Sequence, residues 1–329
     1  MVHRLHPNLT MRLGLPLLLL LCFGIALWGL GRTAPAKSRG AGKMAVRPAR
    51  LEAHVRMLAE TLAPRNEAHP ENLERVATYI RREFEAAGAE VEDQPFKAGG
   101  ETYRNVIARF GPESKERIVV GAHYDAAGPL PGADDNASGV AGLIELAHLL
   151  GKSSLPMRVE LVAYSLEEPP YFGSSRMGSA FHARSLKEKG ARVRAMICLE
   201  MIGYFSDAEG SQGFPLPALR LRYPSKGNFI VVSGKLGQGR LVRRITKRMK
   251  SATPLPVYSI TAPVSLPGID FSDHRNFWAA GYEAVMITDS AFYRNPHYHT
   301  ELDTPDTLDY GRMALVVEGV HAAVLAEVR

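Results

Sequence analysis

The apolar positions of this chain change period repeatedly, and the changes mark out its elements. Over residues 51–62 and 71–87 they recur at helical spacing, and the second stretch stops at Gly88, a helix-ending signal. Residues 89–96 and 102–110 read as strands joined by Ala98-Gly-Gly100, a hairpin turn. Short apolar runs at 117–120, 157–165, 193–198, 229–232 and 284–288 read as buried strands. Helical spacing returns at 138–150, 240–250 and 312–328. Strands alternating with helices predict an α/β domain with a mixed, largely parallel central sheet flanked by helices. Residues 203–227 are rich in Gly, Pro and Ser and have no clear period. They are long for a connection in a compact domain and read as a loop over a site.

Residues 13–30 break the pattern differently: they are apolar throughout, carry no charge, and follow Arg4 and Arg12. A run of this length can span a bilayer and is long for the core of a signal peptide. The expectation is a short segment 1–12, an uncleaved transmembrane anchor 13–30, a basic linker 31–50 and a domain 51–329. The domain would lie outside the cytoplasm, periplasmic or extracellular. The alternative is secretion after cleavage near Ala34-Pro-Ala36. Residues 1–50 hold eight of the 40 Lys and Arg and none of the 34 Asp and Glu, so the basic pI of about 9.3 belongs to the tail. The rest gives no charge argument for nucleic acid, and the many Arg and Lys of 240–250 read as a solvated helix face. Cys22 and Cys198 lie in separate apolar segments and predict no disulfide.

Candidate chemistry collects just past the strand runs. Gly121-Ala-His-Tyr-Asp125 follows 117–120, and alternation puts His123 and Asp125 on one face. Open α/β sheets bind ligands in the crevice beyond the C-terminal strand ends. A His and a carboxylate there suit a divalent metal, zinc first. Pro131-Gly-Ala-Asp-Asp-Asn-Ala-Ser-Gly139 adds Asp134 and Asp135 ahead of a helix. In Glu167-Glu168, adjacent side chains point in different directions, so one can bind metal while its neighbour serves as general base. Glu200 stands among Ile197, Leu199, Met201 and Ile202, where a charge needs a partner, a salt bridge or a metal. Pro296-His-Tyr-His299 offers His297 or His299 as a further ligand, with Asp303 nearby.

Four blocks in this order resemble the co-catalytic zinc aminopeptidase family: Ala122-His-Tyr-Asp125, Gly132-Ala-Asp-Asp-Asn-Ala-Ser-Gly139, Glu167-Glu168 and Tyr298-His-Thr-Glu-Leu-Asp-Thr304. The family includes leucyl-type aminopeptidases of bacteria and fungi, glutamate carboxypeptidase and the glutaminyl cyclases. Ser272-Asp-His274, with Phe277-Trp278 and Gly281, is similar to a further segment of these enzymes. The resemblance covers residue 51 to the C-terminus and implies the three-layer zinc-exopeptidase fold. It also implies two zinc ions, one on His123 and Glu200, the other on Glu168 and His299, with Asp135 bridging. By the same resemblance Asp125 orients His123, Glu167 is the general base, Tyr298 faces the oxyanion, and the Asp135–Asn136 bond is cis. Two departures stand out. The position of Glu200 is usually Asp, which bears on the second metal. Residues 169–179 lack the common Gly-Leu-x-Gly-Ser pattern, which bears on pocket shape.

The implied activity is that of a metallopeptidase, foremost an aminopeptidase acting on peptides or amino-acid amides. Two competitors remain. A single-zinc aminoacyltransferase like the glutaminyl cyclases would form pyroglutamate instead of releasing amino acids. A non-catalytic binding ectodomain would be favoured by a missing ligand or base, and neither is missing. The sequence leaves the oligomeric state open.

Overall fold

In the computed structural model, which describes residues 45–329, the apolar runs assemble into one eight-stranded sheet. Its strands are β1 (Glu90–Ala98), β2 (Glu101–Phe110), β3 (Glu116–His123), β4 (Arg158–Tyr164), β5 (Arg192–Leu199), β6 (Ile230–Lys235), β7 (Val257–Ala262) and β8 (Ala284–Thr288). They lie in the order β1-β2-β4-β3-β5-β8-β6-β7. The central strands β4, β3, β5 and β8 are mutually parallel, and β6 pairs parallel with β7. The pairs β1–β2, β2–β4 and β6–β8 are antiparallel. The sheet is therefore mixed and largely parallel, as the sequence predicts.

Burial on both faces explains why the central strands read as continuous apolar runs. Ile118, Val120, Leu161, Ile197 and Val285 face one layer of helices: α1 (Pro48–Arg56), α2 (Pro70–Ala86), α3 (Gly139–Leu150), α5 (Gly239–Ala252) and α7 (Tyr310–Glu327). Val119, Val162, Met196, Cys198 and Met286 face α4 (Gly178–Glu188) and α6 (His274–Ala280). The result is three layers. The start of α7 is fixed by Asp309, whose carboxylate accepts the Arg312 N–H at 2.8 Å.

The first helix starts at Pro48, ahead of the expected residue 51, and Val46 is already buried in the core. It runs on through a wider π turn, Met57–Thr61. Three elements carry no usable pattern in the sequence. β7 is an edge strand whose four middle residues are half-buried, so alternation is lost. α6 has only seven residues. α4 buries Gly178, Ser179, His182 and Ala183 with Leu186, which is not an apolar stripe. The expected anchor at 13–30 lies outside the described residues. Among those described, no helix is long and apolar enough to cross a membrane.

Because β3, β4, β5 and β8 run the same way, their C-terminal ends share one edge of the sheet. β3 ends at His123, β4 leads to Glu167-Glu168, β5 to Glu200, and β8 into residues 289–303.

Candidate metal centre

The loop after β3 is built to present one carboxylate. Asp303, from the far end of the chain, accepts the Asp134 N–H at 2.9 Å and the Asp135 N–H at 3.1 Å. Asp134 faces away from the site: it accepts the Gly203 N–H at 3.0 Å and the Asn295 side-chain amide at 2.9 Å. Asn136 donates to Leu199 O at 2.9 Å and accepts the Met201 N–H at 3.1 Å, tying this loop to the end of β5. Asn136 Oδ1 also accepts the Gly139 N–H at 3.1 Å. A Cβ at Gly139 would lie 2.3 Å from that oxygen and 2.7 Å from Leu199 O, which is why the motif ends in glycine. The Asp135–Asn136 bond is cis. Asp135 is left pointing between the two histidines.

Asp125 has a further job beside its place next to His123. Its two carboxylate oxygens accept the N–H groups of Glu167 (3.1 Å) and Glu168 (3.0 Å). Its side chain stands 3.6 Å from His123 Nδ1, while its backbone carbonyl is nearer, at 3.2 Å. Asp125 thus fixes the turn carrying the two glutamates and stands beside His123 with both its side chain and its main chain. Leu166, before that turn, has φ 61°; Met201, after Glu200, has φ 49°; His299 itself has φ 55°. Left-handed values in bulky residues cost on the order of 1–3 kcal/mol each and persist where surrounding structure imposes them.

Five side chains converge into two sets sharing Asp135, with Glu167 beside them. His123 Nε2 is 3.3 Å from Asp135 Oδ1 and 3.3 Å from Glu200 Oε2. His299 Nε2 is 3.1 Å from Asp135 Oδ2 and 3.4 Å from Glu168 Oε2. Glu167 Oε2 stands off at 3.9 Å from His123 Nε2. Tetrahedral ligands held about 2.0–2.1 Å from one ion sit about 3.3–3.4 Å apart, so the spacing suits a shared cation. His123 Nε2, His299 Nε2 and Glu168 Oε1 are buried without a hydrogen-bond partner, which a metal would supply. His297 turns instead edge-on to Tyr204, with ring centroids 6.1 Å apart.

The electrostatics ask for positive charge. Burial and the charge of Asp135 push Glu168 up to about 7. Burial, with Glu168 and Glu200 beside it, raises Glu167 well above the carboxylate range. Burial opposes charge on His299, yet Asp135 and Glu168 raise it to about 10. Burial likewise opposes charge on His123, and Glu200 and Glu167 override it. Carboxylates this close hold protons unless a cation replaces them.

Several residues support the site through contacts that no local pattern announces. Ser272 donates to Glu200 Oε2 at 2.6 Å, orienting a side chain one methylene longer than the usual Asp. Arg65, wholly buried, donates to the carbonyls of Leu58, Tyr124, Pro131 and Gly132 at 2.7–3.0 Å and clamps both site loops. Beside Glu200 and Tyr298 opens an apolar cavity of about 120 Å³, walled by Phe214, Leu219, Phe229, Ile260, Met286 and Phe292. Engineered apolar cavities of roughly 150 Å³ take up benzene. Tyr298 stacks on His299, with centroids 3.8 Å apart. The wall from residues 203–227 is pinned by buried Arg294, which donates to Gln212 Oε1 (2.9 Å) and Phe229 O (2.8 Å).

Comparison with known proteins agrees with this architecture. The model of peptidase family M28 matches residues 105–324. The protein described as uncharacterized protein YfbL of Escherichia coli (strain K12) is 48% identical over 281 residues, 83% of this chain and 86% of its own. Leucine aminopeptidase 1 of Ajellomyces capsulatus (strain NAm1 / WU24) is 27% identical over 71% of this chain, which spans 58% of that relative's length. BSAP, a zinc aminopeptidase from Bacillus subtilis, shares the fold with a TM-score of 0.67 at 15% identity, over 86% of this chain and 95% of its own.

Proposed function

The chain belongs to peptidase family M28, and from that premise we propose that it is a zinc-dependent aminopeptidase with two metal ions, removing apolar N-terminal residues from peptides. The observation that carries this reading is a pair of nitrogen-and-carboxylate sets sharing Asp135, beside an apolar cavity that opens on Glu200 and Tyr298. His123, Asp135 and Glu200 would hold one zinc; Asp135, Glu168 and His299 would hold the other. Zinc bound there supplies Lewis-acid chemistry, polarising a carbonyl and lowering the pKa of water. Glu167 holds neither ion in this assignment. Its buried carboxylate takes a proton readily, so it serves as the base for the attacking water and returns the proton to the leaving amine. Tyr298 keeps its phenolic proton because burial raises it, and it donates to the carbonyl oxygen under attack. The cavity receives the side chain of the first residue, and residues 203–227 set its depth. Residues 13–30 anchor the enzyme with this domain outside the cytoplasm.

The test is metal analysis and hydrolysis of aminoacyl-anilides before and after exhaustive chelation. The expected outcome is two zinc ions per chain, activity lost on chelation and restored by zinc, and Leu or Phe preferred over Glu or Lys. Full activity without metal refutes the reading. One zinc with pyroglutamate formed from N-terminal Gln, and no amino acid released, supports the aminoacyltransferase instead.

A further inference from the structure

Helix α5 has no part in the metal centre, and its outer face is uniform. Arg240, Arg243, Arg244, Lys247 and Arg248 follow one another at helical spacing and are exposed, opposite buried Leu241, Val242, Ile245 and Met249. The helix has no acidic residue. Like charges three and four apart destabilise a helix slightly, and here no acid on the helix offsets them. Among the described residues, one of these five makes an ion pair: Arg244 meets Glu327 at 2.9 Å. The stripe runs into a cleft of about 630 Å³ where Arg194, Arg244, Lys247 and Arg248 outnumber Glu283 and Glu327. Arg194 lies near the start of β5 and Glu283 just before β8. The cleft is therefore at the edge of the sheet opposite the metal centre.

The chain enters the domain on α7, the helix that packs against α5. The Ala45 and Val46 N–H groups donate to Glu318 Oε1 on α7 at 2.6 and 3.3 Å. The next residue, Gly319, lies against α5, where an added Cβ would meet Met249 at 3.3 Å. The residues leading in, 31–44, carry Arg32, Lys37, Arg39 and Lys43 and no acid, after the apolar run 13–30.

We infer that the α5 stripe and the adjoining cleft dock on anionic phospholipid headgroups. Charge complementarity and the basic lead-in that follows the apolar run both favour that occupant. A nucleic acid would meet the same charges but would not account for the apolar run that precedes them in the chain. Docked so, the metal centre and its apolar cavity face away from the bilayer, toward soluble peptides. The inference goes beyond the peptidase reading and rests on the anchored reading of residues 13–30.

The test uses full-length protein in nanodiscs of phosphatidylcholine, alone or mixed with phosphatidylglycerol. Acylation of Lys247 by an amine-reactive reagent is followed by mass spectrometry relative to Lys97, exposed in β1. Lys247 should react several-fold more slowly in the anionic discs. High salt should reverse this, and the triple variant R240Q/R243Q/R248Q should abolish it, with hydrolysis unchanged. Equal reactivity in both discs overturns the inference, as does slowing by added duplex DNA alone. Failure to enter discs refutes the anchor instead, and sedimentation with vesicles of the same compositions then decides the stripe. Binding to anionic vesicles alone upholds it, with each Arg→Gln weakening the partition about fivefold; binding to neither overturns it.

Discussion

The two edges of the central sheet treat charge in opposite ways. Where β3, β4, β5 and β8 end, Asp135, Glu167, Glu168 and Glu200 are buried side by side with few cations to offset them. At the edge where those strands begin, the buried acid is paired: Arg109 and Arg117 both reach Glu160, at 3.2 and 2.7 Å. Backbone strain divides the same way. Among the described residues, the non-glycine residues with positive φ are Leu166, Met201, Ser290, Ala291 and His299, all beyond the C-terminal strand ends. Unpaired buried charge and left-handed backbone both raise the free energy of a fold. Their coincidence at one edge indicates that this edge is shaped to hold a ligand in its interior, while at the other edge the buried acid is already satisfied and the remaining charge is on the surface.

Substitutions at each edge sharpen or break that contrast. The largest effect should come from Glu167→Gln. The amide is nearly isosteric but cannot take and return a proton, so turnover should fall about 10²–10⁴-fold while zinc content stays normal. Glu168→Gln should lose zinc as well as turnover. Zinc lost from Glu167→Gln and kept by Glu168→Gln would exchange the two roles.

Next comes a change in the core of α5, which has no part in the candidate metal centre. Ile245→Ala removes a fully buried side chain and should lower stability by about 2–5 kcal/mol in chemical denaturation. Its kcat and zinc content should match the parent, and a fall in kcat would show that the edges are coupled.

The smallest effect is expected from Asp125→Asn. It turns one of the two acceptors of the Glu167 and Glu168 N–H groups into a donor. Competition with a chelator should show metal affinity lowered about 10–100-fold. Unchanged affinity would mean that the glutamate turn holds its shape without that carboxylate.

Much of the fold can be read from the sequence because its signals are local. Strand runs, hairpin glycines and helix stops lie within a few residues of what they specify. The exceptions have physical causes: β7 is half-buried at an edge, and α4 turns small and polar residues inward. Site residues are visible to the same depth. His123, Glu167, Glu168 and Glu200 each follow a strand run directly, whereas Ser272 and Arg65 act through contacts made far along the chain.

By itself, then, the sequence determines the α/β class, the mixed sheet and the set of acids and histidines that can meet at its edge. Periodicity and strand-end placement need no distant partner. Between equivalent neighbours the residue pattern is silent and only the resemblance chooses; the tertiary structure supplies the physical reason. Asp134 is taken up by Gly203 and Asn295, which frees Asp135 for the site. His299 faces Asp135 and Glu168, while His297 faces Tyr204. The apolar cavity is likewise a tertiary product. Placing β8 between β5 and β6 gathers Glu200, Val231, Ile260 and Met286 around one space. Their separations share no period, so no local pattern could announce that they meet.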